Sequence, residues 1–100
     1  MVSVELARER EAVRPLVSLS DPGDALTVYY ALYHPPALTR LHIHRSAAGR
    51  VDGFIATCTT GADLFRPLVV MRAEKEEILH QLLRAALVAG RPYHFVVPLH

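Results

Sequence analysis

Apolar residues recur with a helical period near the end of the chain, over residues 74–89. One face of this segment carries Ile78, Leu79, Leu82, Leu83, Ala86 and Leu87. A spacing of three and four residues places such positions on one side of an α-helix, which is typical of a helix packed against a core. Gly90 follows at a position where helices commonly end. The pattern predicts an amphipathic helix here.

The first segment of the chain is also predicted to be helical. Apolar and charged residues mix over residues 3–19, and Ser3 is a candidate N-cap for the early part. Pro15 has no backbone N–H to donate and is expected to end or bend this helix.

A second helix is predicted over residues 25–33. Asp21 before Pro22 suits an N-cap followed by proline in the first helical position. Asp24 complements the positive end of the helix dipole. The two prolines at 35 and 36 are expected to stop the helix.

An alternating pattern follows and predicts a β-hairpin. Leu41, Ile43 and Arg45 point to one side of the first strand, and Arg40, His42 and His44 point to the other. The turn is "SAAGR", and residues 51–59 form the return strand.

Two further strands are predicted, over residues 65–71 and 93–97. The third strand, the amphipathic helix and the last strand form a β-α-β unit, so the last strand should run parallel to the third through a right-handed crossover. The order is α-α-β-β-β-α-β. We therefore expect one domain over residues 1–100, of the α+β or α/β class, with a mixed and mainly antiparallel sheet and its β-α-β unit at the C-terminal end.

Composition and charge narrow the functional classes. The chain has 100 residues and a net charge of +1, with 11 Lys and Arg against 10 Asp and Glu. No basic stripe emerges, so no nucleic-acid partner is expected. The start, "MVSVELARER", lacks the apolar core of a signal peptide, and no apolar run is long enough for a membrane span. Cys58 is the only cysteine, which fits a reducing compartment. The expected location is the cytoplasm.

Two stretches, "GRVDGFIATCTT" and "LVVMRAEKEEILHQLLRAAL", resemble the strands and cofactor helix of the GNAT-type acyl-CoA N-acyltransferase fold. "LSDPGDALTVYYAL" is similar to the non-catalytic leading half of some two-domain members. In that family a motif R-G-x-G-I-G-x-x-L-L holds the pyrophosphate of coenzyme A on backbone N–H groups at the helix N-terminus.

The resemblance fails where the cofactor would bind. With Leu82 and Leu83 placed on the motif's Leu-Leu pair, Ile78 falls on the isoleucine. Glu74 then replaces the arginine, and the three glycines are replaced by Lys75, Glu77 and Leu79. The corresponding loop comprises Arg72, Ala73, Glu74, Lys75, Glu76 and Glu77. Carboxylates at this helix start complement its dipole and repel a pyrophosphate.

The resemblance therefore implies a non-catalytic GNAT-like domain that serves as a binding or oligomerisation module, without acetyl-CoA or another cofactor and without a catalytic residue. The alternative is an N-acyltransferase, or half of one, that holds acyl-CoA through an atypical loop. The last strand, "YHFVV", offers an apolar sheet edge that a second copy could cover, so a homodimer is expected.

Three other groups of residues are candidates for function. His42 and His44 share one side of a strand, as metal ligands can; the alternative is a pair of solvent-side residues, and no metal is predicted.

Tyr29 and Tyr33 are four residues apart on the second helix. With Arg72 they could line a pocket for a small ligand of unknown identity, or the tyrosines could pack in the core or at its rim.

Arg72 and Cys58 each have a structural alternative. Arg72 follows the third strand, where ligand crevices open in α/β sheets; a salt bridge to Glu76, four residues on, is the alternative. Cys58 could be a nucleophile, but a cysteine between Thr57 and Thr59 on a strand is more typical of a small packed side chain.

Overall fold

The computed structural model describes residues 4–7, 10–17, 20, 24–60, 67–88, 90 and 92–95. In this part of the chain five strands form one mixed sheet in the order β1-β2-β3-β4-β5. The strands are β1 (Val4–Leu6), β2 (Thr39–Arg45), β3 (Val51–Cys58), β4 (Leu68–Ala73) and β5 (His94–Phe95). The α-helices are α1 (Ala25–Val28) and α2 (Glu76–Ala86). Two 3₁₀ helices (Arg10–Leu16 and Pro36–Leu38) and a π-helix (Tyr29–Tyr33) complete the described elements.

The sequence predicts a helix at the start of the chain, but residues Val4–Leu6 form strand β1, so the prediction is wrong there. Val4–Leu6 is an edge strand that pairs antiparallel with β2, Val4 opposite His44 and Leu6 opposite His42. The pairing overrides local helix preference because it satisfies backbone groups on the outer side of β2. The helix that follows, Arg10–Leu16, is a 3₁₀ helix that includes Pro15 near its end. Ser3 lies outside the described residues.

The second helix is confirmed over residues 25–33, but it changes type along its length. α1 gives way to the π-helix Tyr29–Tyr33, and the His34 N–H donates to the Tyr29 carbonyl at 2.8 Å. The Arg10 guanidinium reaches this end and donates to the carbonyls of Tyr30, Ala31 and His34. Asp21 and Pro22 lie outside the described residues.

The hairpin is confirmed. β2 and β3 pair antiparallel from Thr39 opposite Cys58 to Arg45 opposite Val51, with a shift of register that leaves Asp52 as the extra residue of a β-bulge. In the turn, Gly49 has φ +85°, which glycine adopts readily. The predicted strand boundaries agree with the structure within one residue.

The β-α-β unit is confirmed in its parallel pairing, with Leu68 opposite His94 and Val69 opposite Phe95. Its boundaries differ from the prediction. β4 spans Leu68–Ala73, and α2 begins at Glu76 and ends at Ala86, so it is shorter than residues 74–89. Residues 65–66, 89 and 96–97 lie outside the described part.

Apolar residues are buried on both faces of the sheet. One face packs against the N-terminal helices, and its buried residues are Val13, Val28, Ala31, Leu32, Leu41, Ile43, Phe54, Ala56, Cys58 and Val70. The other packs against α2, with Ile55 and Val69 under Ile78 and Leu82. Gly53 allows this close approach, because a Cβ there would lie 2.8 Å from Cγ2 of Ile78. Among the described helices, none has the length and apolar character that crossing a membrane requires.

Candidate functional site

The junction between β4 and α2 is acidic and tied to the neighbouring hairpin. Glu74 accepts hydrogen bonds from the Arg50 guanidinium, the longer at 2.9 Å, and its N–H donates to the Asp52 carbonyl at 3.0 Å. The hydrogen bonds from Arg50 lower the pKa of Glu74. Glu76 and Glu77 occupy the first turn of α2. An anion that approached this helix start would meet three carboxylates.

Arg72 turns away from this junction and binds Asp24 at the start of α1. Its two terminal nitrogens donate to the two carboxylate oxygens at 2.7 and 2.9 Å. The Asp24 side chain is only 4% exposed and the Arg72 side chain 28%. The structure thus gives Arg72 a different partner from the predicted Glu76. The bidentate pair fixes the start of α1 to β4.

Tyr29 and Tyr33 lie at the surface, where they are 46% and 57% exposed. Tyr29 makes an edge-on ring contact with Tyr30 at 5.0 Å between centroids. Packing at the rim describes these residues better than packing in the core. The pocket that would join them to Arg72 stays a prediction.

His42 and His44 lie on the face of the sheet that α2 covers, so the solvent-side alternative is wrong. His44 Nδ1 lies 2.6 Å from Oδ1 of Asp52, with side chains only 12% and 9% exposed. Burial, with a smaller contribution from Arg40, lowers the pKa of His42. Sequence reasoning missed Asp52 because the bulge, rather than alternation along the strand, places it beside His44.

The described residues around these two histidines do not form a metal site. Within the part of the chain that the structure describes, no three His, Cys, Asp or Glu side chains are grouped as a metal ion would require. Nδ1 of His42 is buried and has no hydrogen-bond partner among those residues. Metal ligands normally have their second ring nitrogen held by a partner, so only His44 has the expected arrangement.

Cys58 is fully buried under the π-helix. Its thiol donates to the Tyr30 carbonyl at 3.6 Å, and burial raises its pKa to about 11. The thiol is therefore protonated at neutral pH, whereas nucleophilic cysteines need the thiolate. These properties favour the packed side chain over the nucleophile.

A groove of about 430 Å³ opens on the α2 face, at the end of the sheet opposite the acidic junction. It is lined by Ala37, Leu38, Thr39, Arg40, Thr57, Thr59, Pro67, Ala86, Val88 and Tyr93. The Tyr93 hydroxyl accepts a hydrogen bond from the Val88 N–H at 2.9 Å. The groove lies where α2 ends, at Ala86, so this helix does not extend over the open end of the β2–β3 hairpin.

Two polar side chains distinguish this groove. Arg40 is exposed and makes no hydrogen bond or ion pair within the described residues. The Thr57 hydroxyl is buried and has no partner there. Such an atom costs stability, and in native proteins it calls for an explanation. Sequence reasoning placed Arg40 on the polar side of the hairpin but had no signal for a groove, which depends on where a distant helix ends.

A second cavity, of about 400 Å³, lies beside Arg10 on the other face of the sheet. Its arginine already donates to three backbone carbonyls. This guanidinium therefore serves the end of the π-helix and is less suited to a ligand than that of Arg40.

Comparison of the chain with protein-family models, with curated proteins and with solved structures gives no match in any of the three. The function must therefore be argued from the residues themselves.

Proposed function

We propose that this chain is a non-catalytic module that binds a small molecule in the groove at Arg40, on a GNAT-like fold without acyl-CoA chemistry. The observation that carries the proposal is a pair of polar groups in this groove, Arg40 and the buried Thr57 hydroxyl, that have no partner within the described residues. The rest of the described lining combines apolar side chains (Ala37, Leu38, Pro67, Ala86 and Val88) with the polar side chains of Thr39, Thr59 and Tyr93. Ligand sites typically combine an apolar wall with a few polar groups.

The acidic junction supports the other half of the proposal. An acyl-CoA site of the GNAT type needs backbone N–H groups and space at the helix start. Here the Glu74 N–H is used by Asp52, and its carboxylate is fixed by Arg50. The alternative, an N-acyltransferase or half of one with an atypical loop, requires acetyl-CoA to bind despite these groups.

The groove can be tested with benzamide, a neutral aromatic probe, by amide chemical shifts of the ¹⁵N-labelled chain. We expect saturable shifts at groove residues and loss of binding in Ala86→Trp, whose indole fills the groove. Ala85→Trp is the matched control, because Ala85 is the exposed neighbour on α2. Binding that survives in Ala86→Trp would contradict the proposed site.

We also propose that the chain forms a homodimer through β5. This strand pairs only with β4 in the described part of the chain, and Phe95 on it is 45% exposed. A strand at the edge of the described sheet that exposes an aromatic side chain favours strand addition by another chain. Light scattering should give a dimer that Phe95→Lys converts to a monomer, whereas Leu6→Lys on the opposite edge should stay dimeric. A monomeric wild type would refute this second proposal.

A further inference from the structure

Most arginines in the described residues are already bound to oxygen atoms of the protein. Carboxylates or backbone carbonyls accept from Arg10, Arg14, Arg45, Arg50 and Arg72. Arg40 and Arg84 have no such partner within the described part of the chain. Arg84 lies on the solvent side of α2, where an exposed cation is ordinary. Arg40 lines the groove.

Positive and negative charge lie on opposite sides of the groove. Among the lining residues that the structure describes, Arg40 is the single charged side chain and none is a carboxylate. On the opposite wall α2 ends at Ala86, where the helix dipole contributes a partial negative charge. An anion in the groove is therefore attracted to the β2 side and repelled from the α2 side.

The described lining also has an apolar part, beside the hydroxyl groups of Thr39, Thr57 and Thr59. Val88, Ala86 and Pro67 offer hydrocarbon surface, and Tyr93 offers a ring whose hydroxyl is held by the Val88 N–H. A volume of about 430 Å³ is in the lower part of the range for small-molecule sites. The arrangement fits a short ligand with an oxyanion at one end and an apolar body.

Resting on the proposed function of the groove, we propose that its ligand is a small organic anion, a carboxylate or phosphate monoester on an apolar body, held by the Arg40 guanidinium. The planar fork of arginine donates two parallel hydrogen bonds to either group. The apolar body then lies against the α2 end, away from Arg40.

The test compares three probes of similar size: benzoate, phenyl phosphate and benzamide. Their dissociation constants are measured by amide chemical shifts with the full chain, Arg40→Gln and Arg84→Gln. We expect at least one anion to bind about tenfold more tightly than benzamide, as one charge-assisted contact predicts. Arg40→Gln should abolish this preference and Arg84→Gln should keep it. Whichever of benzoate and phenyl phosphate binds more tightly shows whether the groove prefers a carboxylate or a phosphate.

The outcomes separate this inference from the proposed function. If benzamide binds in the groove as tightly as both anions, or if Arg40→Gln keeps the preference, the anion inference is wrong and the groove remains a binding site. If none of the three probes shifts the groove amides at tens of millimolar, both proposals fail. Arg40→Gln should fold normally, because Arg40 is exposed and has no hydrogen bond or ion pair from its side chain within the described residues. The amide spectrum of the variant checks this directly.

Discussion

The ion pair between Asp24 and Arg72 is expected to be the charged interaction on which the stability of this domain depends most. Removing one partner of a buried pair costs about 3–5 kcal/mol, because the other charge stays buried without compensation. The Arg72 side chain is 28% exposed, so water can reach it after the change. We therefore expect Asp24→Asn to cost about 2 kcal/mol, at the level of a lost charged hydrogen bond.

Urea unfolding followed by circular dichroism measures this loss in free energy of unfolding. In thermal unfolding, the midpoint of Asp24→Asn should lie about 10 °C below that of the wild type, as expected for a domain of this size. Glu11→Gln is the matched control, because its pair with Arg14 is exposed and should contribute nothing measurable. In an Arg72→Met background, Asp24→Asn should cost much less. A loss no larger than that of the control, or an equal loss in both backgrounds, would show that the Asp24–Arg72 pair does not stabilise the domain.

Three further predictions follow from burial. Gly53→Ala should destabilise the domain by about 1–3 kcal/mol in the same urea assay, because the added Cβ would lie 2.8 Å from Cγ2 of Ile78. An unchanged unfolding midpoint would show that α2 can move away from the sheet at no cost in stability. Cys58, with its pKa raised to about 11, should resist iodoacetamide at pH 8 until urea is added, and rapid labelling of the native protein would contradict its burial. The pKa of His42 lies below its ordinary value of 6.5, so the unfolded chain takes up the proton first and stability falls as pH drops below about 6.5. When the pH is lowered from 7.5 to 5.5, His42→Gln should lose less stability than the wild type. Equal losses would show that protonation of His42 is not the cause.

Local patterns were enough to predict the hairpin and α2. Alternation over β2 and β3 and the helical period around Ile78 both reflect burial of one side of an element, which the sequence records directly. The parallel pairing of β5 followed from the β-α-β order. These features depend on neighbours along the chain.

Features that depend on distant pairing could not be predicted in this way. β1 has three residues, too few for a periodic pattern, and is a strand only because β2 lies beside it. Asp24 meets Arg72 across 48 positions, and Asp52 meets His44 through a bulge. The groove at Arg40 lies where α2 ends, three residues before the predicted end at residue 89. No local pattern contains that information.

Titration calorimetry of the full chain with acetyl-CoA tests most directly the claim that the β4–α2 junction has no cofactor role. We expect no binding heat at millimolar acetyl-CoA, because the carboxylates of Glu74, Glu76 and Glu77 lie at the start of α2. Binding with a dissociation constant of roughly micromolar order would contradict this expectation. If that binding is lost in Lys75→Glu, which adds a further carboxylate at the junction, the acyl-CoA site lies there and the acyltransferase alternative is restored.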